Sequence, residues 1–232
     1  MQSGERAGTI YNTPSSLFFF FTPQIYQQIS NTVKMSVVLS FRVAAPADAP
    51  LLQPLVQSAY RGDSSRLGWT TEAELLAGER IDVAGIAAKI TAPGSAVLMA
   101  TDADGVLVGC CEVLKRSANV AYFGMFAIDP LRQAGGLGRQ VLAYAERYCE
   151  EQWGTQKLEM NVIWVRKELI SWYQRRGYRV TGERKEFPYH ELKDEGLALK
   201  DDLHFEVLEK VLGVEAKVEE VTVVTEVTEV AA

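Results

Sequence analysis

Between Asp129 and Arg139 the chain reads DPLRQAGGLGR, with glycine at 135, 136 and 138 directly ahead of an amphipathic run. Glycine costs backbone entropy to order, so three of them at the mouth of a helix call for a reason. The amides of a helix's first turn have no acceptor inside the helix, and the aligned peptide dipoles put partial positive charge there. Bare glycines let a ligand reach those amides, which suits the stretch to a phosphate or pyrophosphate. A Walker loop would continue Gly-Lys-Ser/Thr, whereas Gly138 is followed by Arg139 and Gln140. A dinucleotide fingerprint would space its glycines Gly-x-Gly-x-x-Gly, which this stretch does not. What remains is Gln-x-x-Gly-x-Gly on Gln133, Gly136 and Gly138, with Arg132 and Arg139 placed to add charge to phosphates. The chain's two histidines, His190 and His204, and its three cysteines, Cys110, Cys111 and Cys149, form no metal-ligand spacing, so no metal is expected. Unpatterned thiols fit a reducing compartment, and a cytoplasmic protein is expected.

These residues need elements to hold them. Ser36–Val43 alternates and reads as a strand. Asp48 is placed to cap a helix reaching Tyr60. A long polar loop follows, in which Thr71 and Glu74 have capping-box spacing and predict a helix over LLAG. A short helix is expected over Asp82–Ile90. SAVLMAT and VLVGCCEVL read as strands joined by a DADG turn, and NVAYFGMFAI as a largely apolar strand buried on both faces. The helix after the glycines should run from Gly138 to Trp153. Then come a strand over KLEMNVI, a helix over RKELISWYQRR closed by Gly177, and two strands over YRVTGE and HFEVLEKV. Early strands should pair as hairpins, and the later strand–helix–strand unit should cross over in parallel.

About 40 residues beyond the glycines, ELISWYQRRGYRVTGE places Tyr173, Gly177 and Tyr178 as a helix ending in Tyr, three residues, then Gly and an aromatic. Together with Gln133, Gly136 and Gly138 this resembles the paired signatures of the GNAT superfamily of N-acyltransferases, over about residues 36–212. The resemblance implies an α/β fold, a mixed and mostly antiparallel twisted sheet of six to seven strands with helices on both faces. It implies acetyl-CoA as acyl donor and a direct attack by an amine within a ternary complex. The segment from Gln133 through Ala134, Gly135, Gly136, Leu137 and Gly138 to Arg139 would cradle the pyrophosphate. Phe126, Ala127 and Ile128 would form a splayed strand edge that binds pantetheine, with the amide of Phe126 or Ala127 as oxyanion donor. Tyr173 would protonate the departing thiolate, a task open to a phenol that is protonated at neutral pH. The family often has asparagine seven residues before that tyrosine; Arg166 stands there instead, so the group that orders the pantetheine arm is either missing or replaced by this cation, which is the candidate contact. The base is less defined: Glu112 and Glu159 are the candidates, with Tyr122 as a group that could orient water. The segment from Tyr60 to Arg80 should wall the acceptor cleft, with Asp63, Trp69, Glu72 and Glu74 available to an amine.

The formal charge of −6 does not recommend nucleic acid as a partner. Most of that charge is terminal, since from Gly213 on there are five glutamates against one lysine, or −4. The tail VEEVTVVTEVTEVAA is of low complexity, and residues 213–232 are expected to lie outside the folded domain. Residues 1–35 differ in composition from the rest, and the run LFFFF is far shorter than the ~20 residues needed to cross a bilayer. They are expected to be a dispensable extension, leaving 36–212 as the domain. A small-molecule amine is the expected substrate, with no membrane partner. A non-catalytic acyl-CoA-binding module, or an acetyltransferase that tailors or detoxifies a metabolite, would share these motifs.

Overall fold

The computed structural model describes residues 38–133, 135–192 and 197–213. The extension over 1–35, Ala134 and all of the tail beyond Gly213 lie outside the described residues.

Seven strands form one sheet in the order β1-β2-β3-β4-β5-β7-β6. They are β1 (Ser40–Val43), β2 (Ser95–Thr101), β3 (Leu107–Lys115), β4 (Val120–Ile128), β5 (Lys157–Ile163), β6 (Arg179–Glu186) and β7 (His204–Val211). Every pairing is antiparallel except β4 with β5. That parallel pair needs a crossover, supplied by α4 (Leu137–Trp153). The other helices are α1 (Ala49–Tyr60), the single turn α2 (Gly62–Ser65), α3 (Val83–Thr91) and α5 (Lys167–Gln174). The expected mixed sheet with helices on both faces is therefore present.

Periodicity explains which face each helix covers. On α4, Leu137, Val141, Leu142, Ala145 and Cys149 recur at helical spacing. They pack with Leu169, Ile170 and Tyr173 of α5 against one sheet face. On α1, Leu52, Val56 and Ala59 do the same against the opposite face, with Ile86 of α3. The three cysteines are buried and unbonded to one another; burial pushes the Cys110 and Cys149 thiols up to about 12 and suits them to packing.

Two local expectations fail. No helix forms over LLAG. Thr71 Oγ1 accepts from the Ala73 amide at 3.1 Å but the chain then turns, and Leu76 bridges to Ala198. Leu75 and Leu76 are buried beside Ile163, Phe187 and Leu203, so tertiary packing outweighs the local cap. Asp48 stands at the start of α1, yet its carboxylate binds the Arg42 guanidinium at 2.6 and 2.7 Å and not the helix amides.

Candidate active site

β4 carries the irregularity on which the site depends. Its pairing with β5 ends at Tyr122 opposite Glu159, although β4 runs on to Ile128. Against β3 the register shifts, with Cys110 opposite Ala127 but Glu112 opposite Gly124, so β4 holds one extra residue there. Met125 sits in the bulge at φ 44°, a left-handed conformation unusual for a residue with a Cβ. The bulge changes which side chains share a face. Ala121 and Phe123 face α4, whereas Met125 and Ala127 face α1, and Phe126 and Ile128 rejoin the α4 side.

A cleft of about 300 Å³ opens where β4 and β5 part. Phe126, Ile128, Gln133, Gly136, Leu137, Gly138, Arg139, Arg166 and Tyr173 all line it, so most of the residues singled out in the sequence converge. Ala127 instead buries its side chain in the α1 core, and its amide lies against the Cys110 thiol. Phe126 offers its carbonyl, which accepts from the Tyr60 hydroxyl at 2.8 Å. Gly135 is exposed beside the cleft and does not line it.

The glycine loop meets α4 at Gly136, whose φ of 80° explains its residue type. The Gln140 amide donates to the Gly136 carbonyl at 3.3 Å, the first bond of the helix, which leaves the amides of Leu137, Gly138 and Arg139 without helical acceptors. Gly138 has a different reason: a Cβ there would lie 3.3 Å from the Phe126 ring and 3.5 Å from that of Trp172. Two arginines flank these amides. Arg139 is exposed and makes no ion pair among the described residues. Arg176 lies flat on Trp172, 3.4 Å from its ring centre, with its Nε buried and unpartnered. Burial, then the nearby Arg175 and Arg139, lower its pKa. The free amides, the two guanidiniums and the unsatisfied Nε fit a polyphosphate such as that of CoA.

The remaining motif residues have other employment. Gln133 clasps the acceptor-side loop: its Oε1 accepts from the Trp69 amide at 3.0 Å and its Nε2 donates to Thr70 Oγ1 at 2.9 Å. Arg132 binds Asp102 at 2.6 Å, away from the loop's ligand side. Arg166 caps α5 but spends its guanidinium on Glu72 at 2.6 Å and the Thr70 carbonyl at 2.5 Å. It is a strut between α5 and the 66–80 loop, and no replacement for an asparagine aimed at a cofactor arm.

Neither carboxylate expected as base lines the cleft. Glu112 is buried against α3, held by Lys89 at 2.7 Å. Glu159 binds Lys157 at 2.8 Å, with Arg116 at 3.9 Å. Strand register, invisible in the sequence, turns Glu112 to a lysine of α3, and Glu159 to a lysine two residues back on its own strand and an arginine just beyond β3. Asp63 and Glu74 turn outward to Arg66. Glu72 does line the cleft, locked between Arg61 at 2.7 Å and Arg166. Tyr173 is buried beside Trp172 and Tyr178, and its hydroxyl has no hydrogen-bond partner among the described residues. Burial pushes its pKa far up, so it stays protonated. Tyr60, Trp69, Glu72 and Arg80 line the cleft from the segment expected to wall it, whereas Asn161 and Arg176 also line it and had no motif to reveal them. The described residues contain no helix long and apolar enough to cross a membrane and no cluster suited to a metal ion.

A family model, the acetyltransferase (GNAT) domain, matches residues 69–191. No curated protein matches the chain. Among solved structures, the fold is similar to that of a spermidine N-acetyltransferase from Vibrio cholerae in complex with CoA and spermine. Identity is 16% and the TM-score 0.54, over 75% of this chain and 95% of that one. It is also similar to the ribosomal-protein-S18-alanine N-acetyltransferase from Escherichia coli, at 13% identity and TM-score 0.55 over 78% and 97%. Such identities speak for the fold alone. The family match covers more than half of the chain, including the glycine loop and Tyr173, and the chain belongs to the GNAT superfamily of acetyltransferases.

Proposed function

We propose that this protein is an N-acetyltransferase that moves an acetyl group from acetyl-CoA to a small amine bound on the other side of the β4–β5 gap. One observation carries the reading: the free amides of α4, the parted strands and the unpartnered Tyr173 hydroxyl share one cleft. The α4 amides, Arg139 and Arg176 hold the phosphates. Bound there, acetyl-CoA supplies a thioester whose carbonyl carbon takes the amine nitrogen while its C–S bond breaks. Tyr173 delivers its hydroxyl proton to the departing sulfur. The amine's proton leaves to solvent through the gap, at whose closed end the Tyr122 hydroxyl meets the Asn161 amide. Three buried free thiols support a reducing, cytoplasmic setting.

One observation favours a module that binds acyl-CoA without transfer. Glu72 is the sole carboxylate lining the cleft among the described residues, and two arginines already hold it. An amine panel with acetyl-CoA, read by thiol release, separates the two. Acetyl-CoA binding with turnover of at least one amine supports transfer; tight binding with no turnover of any amine supports the module.

A further inference from the structure

On the amine side of the gap the cleft is cationic. Three guanidiniums, those of Arg61, Arg80 and Arg166, surround the single Glu72 carboxylate, a local balance of three positive against one negative. Both Glu72 oxygens are taken, Oε2 by Arg61 at 2.7 Å and Oε1 by Arg166 at 2.6 Å. Arg80 is left over. Its guanidinium lines the cleft, lies 5.2 Å from the centre of the Tyr60 ring, and makes no ion pair or hydrogen bond among the described residues. The neighbouring acids are occupied elsewhere: Glu79 accepts from Gln53 at 3.1 Å, Asp82 caps α3 through the Gly85 amide, and Glu112 holds Lys89. Its backbone is fixed, because the Arg80 amide donates to Gln57 Oε1 at 2.9 Å. Tyr60 links it to the reacting strand, since the same phenol that carries Arg80 on its face binds the Phe126 carbonyl. Across the gap on β5, the Asn161 Oδ1 is buried without a donor.

We infer that the acceptor is an amine that also carries an anionic group, a carboxylate or a phosphate, with the anion on Arg80 and the amine N–H directed to Asn161 Oδ1. This rests on the cleft being the acceptor site of the transfer reaction. A guanidinium forks two N–H groups onto a carboxylate or phosphate, and Arg80 is the one in this cluster that lines the cleft with no hydrogen bond on its guanidinium among the described residues. A polycation would instead meet an excess of positive charge, with Glu72, the one carboxylate lining the cleft among the described residues, already paired. The chain therefore differs from the spermidine acetyltransferase whose fold it shares.

The test is calorimetric binding of matched amines to the full chain saturated with CoA. The pairs are tyrosine with tyramine, lysine with cadaverine, and phosphoethanolamine with ethanolamine; spermidine is the polycation. The acidic member should bind about 10- to 100-fold more tightly, the worth of a hydrogen bond to a charged group. Which pair shows the difference identifies carboxylate or phosphate. Arg80→Gln should erase the preference while leaving CoA affinity unchanged, and Arg80→Lys should keep part of it. Equal binding within every pair of the wild-type protein, tighter binding of spermidine, or a preference that survives Arg80→Gln overturns the inference. Parallel thiol-release assays keep the two readings apart. An acid preference in binding without thiol release leaves the inference standing and removes transfer. Turnover that favours the non-acidic amines removes the inference and leaves transfer.

Discussion

Replacing Glu72 with glutamine leaves Arg61 and Arg166 in place without their countercharge. The side chains are 7–8% exposed for the Arg61–Glu72 pair and 12% for Arg166, so solvent cannot take over. Removing one partner of such a buried pair costs about 3–5 kcal/mol. For a domain of this size that corresponds to a fall of roughly 6–20 °C in Tm. Glutamine can still accept one hydrogen bond, which places the expected loss toward the lower end. The wild-type protein offers the same perturbation through pH. Burial would raise the Glu72 pKa, but Arg166, then Arg80 and Arg61, overcome it and hold the carboxyl below its usual value. A group whose folded pKa is depressed contributes stability above its unfolded pKa and loses it as pH falls through the folded one. Stability should therefore be flat near neutrality and drop below about pH 4, the ordinary carboxyl range. In the glutamine variant that part of the acid dependence should be missing. Urea denaturation at a series of pH values checks both. A Glu72→Gln loss under about 1 kcal/mol, the range of an exposed pair, would refute the claim that this cluster is a buried electrostatic knot.

Tyr173→Phe should slow turnover by about 10²–10⁴-fold, the usual worth of a general acid, with acetyl-CoA affinity unchanged by calorimetry. Unchanged turnover when chemistry limits the rate would make Tyr173 a packing residue. Arg139→Ala and Arg176→Ala should each weaken acetyl-CoA binding by about 10- to 100-fold, since each removes hydrogen bonds to charged oxygens. Neither should affect the weaker binding of acetyl-pantetheine, which has no nucleotide; an equal loss for both ligands would place the arginines elsewhere than on phosphates. At Met125 the ordinary ranking of substitutions should invert: Met125→Gly should be the more stable variant by about 1 kcal/mol relative to Met125→Ala, because only glycine accepts a positive φ without strain. Thermal melts of the two proteins decide it.

The parts of this site legible in the sequence are those set by local chemistry. A helix preceded by bare glycines must have open amides, and Tyr173 is placed by the helix that Gly177 ends. The order of strands and helices followed from periodicity in the same way. What escaped depends on distance through space. Glu112 looks like a base until strand register turns it to Lys89, 23 residues earlier in the chain. Gln133 looks like a phosphate ligand until the folded loop brings Trp69 and Thr70, 64 and 63 residues away, onto its amide. Arg80 gains meaning only once Arg61 and Arg166 have claimed Glu72. The bulge had no signal at all, because methionine is not a residue that invites φ > 0.

That bulge separates what the hydrophobic core requires of β4 from what the cleft requires. Phe123, Phe126 and Ile128 face α4, while Gly124 lies between them and Ala127 faces α1. Striking Met125 from this sequence would leave an unbroken alternation in which each of the later residues keeps its face. A strand one residue shorter could then serve both layers, at the loss of one methionine from the α1 side. Eight residues suffice for the alternation, and the ninth is an extra residue that lines the cleft at a left-handed φ. Deleting Met125 tests this: the expected outcome is a protein that still melts cooperatively but binds acetyl-CoA more weakly in a titration, and unchanged binding would show that the cleft does not need the bulge.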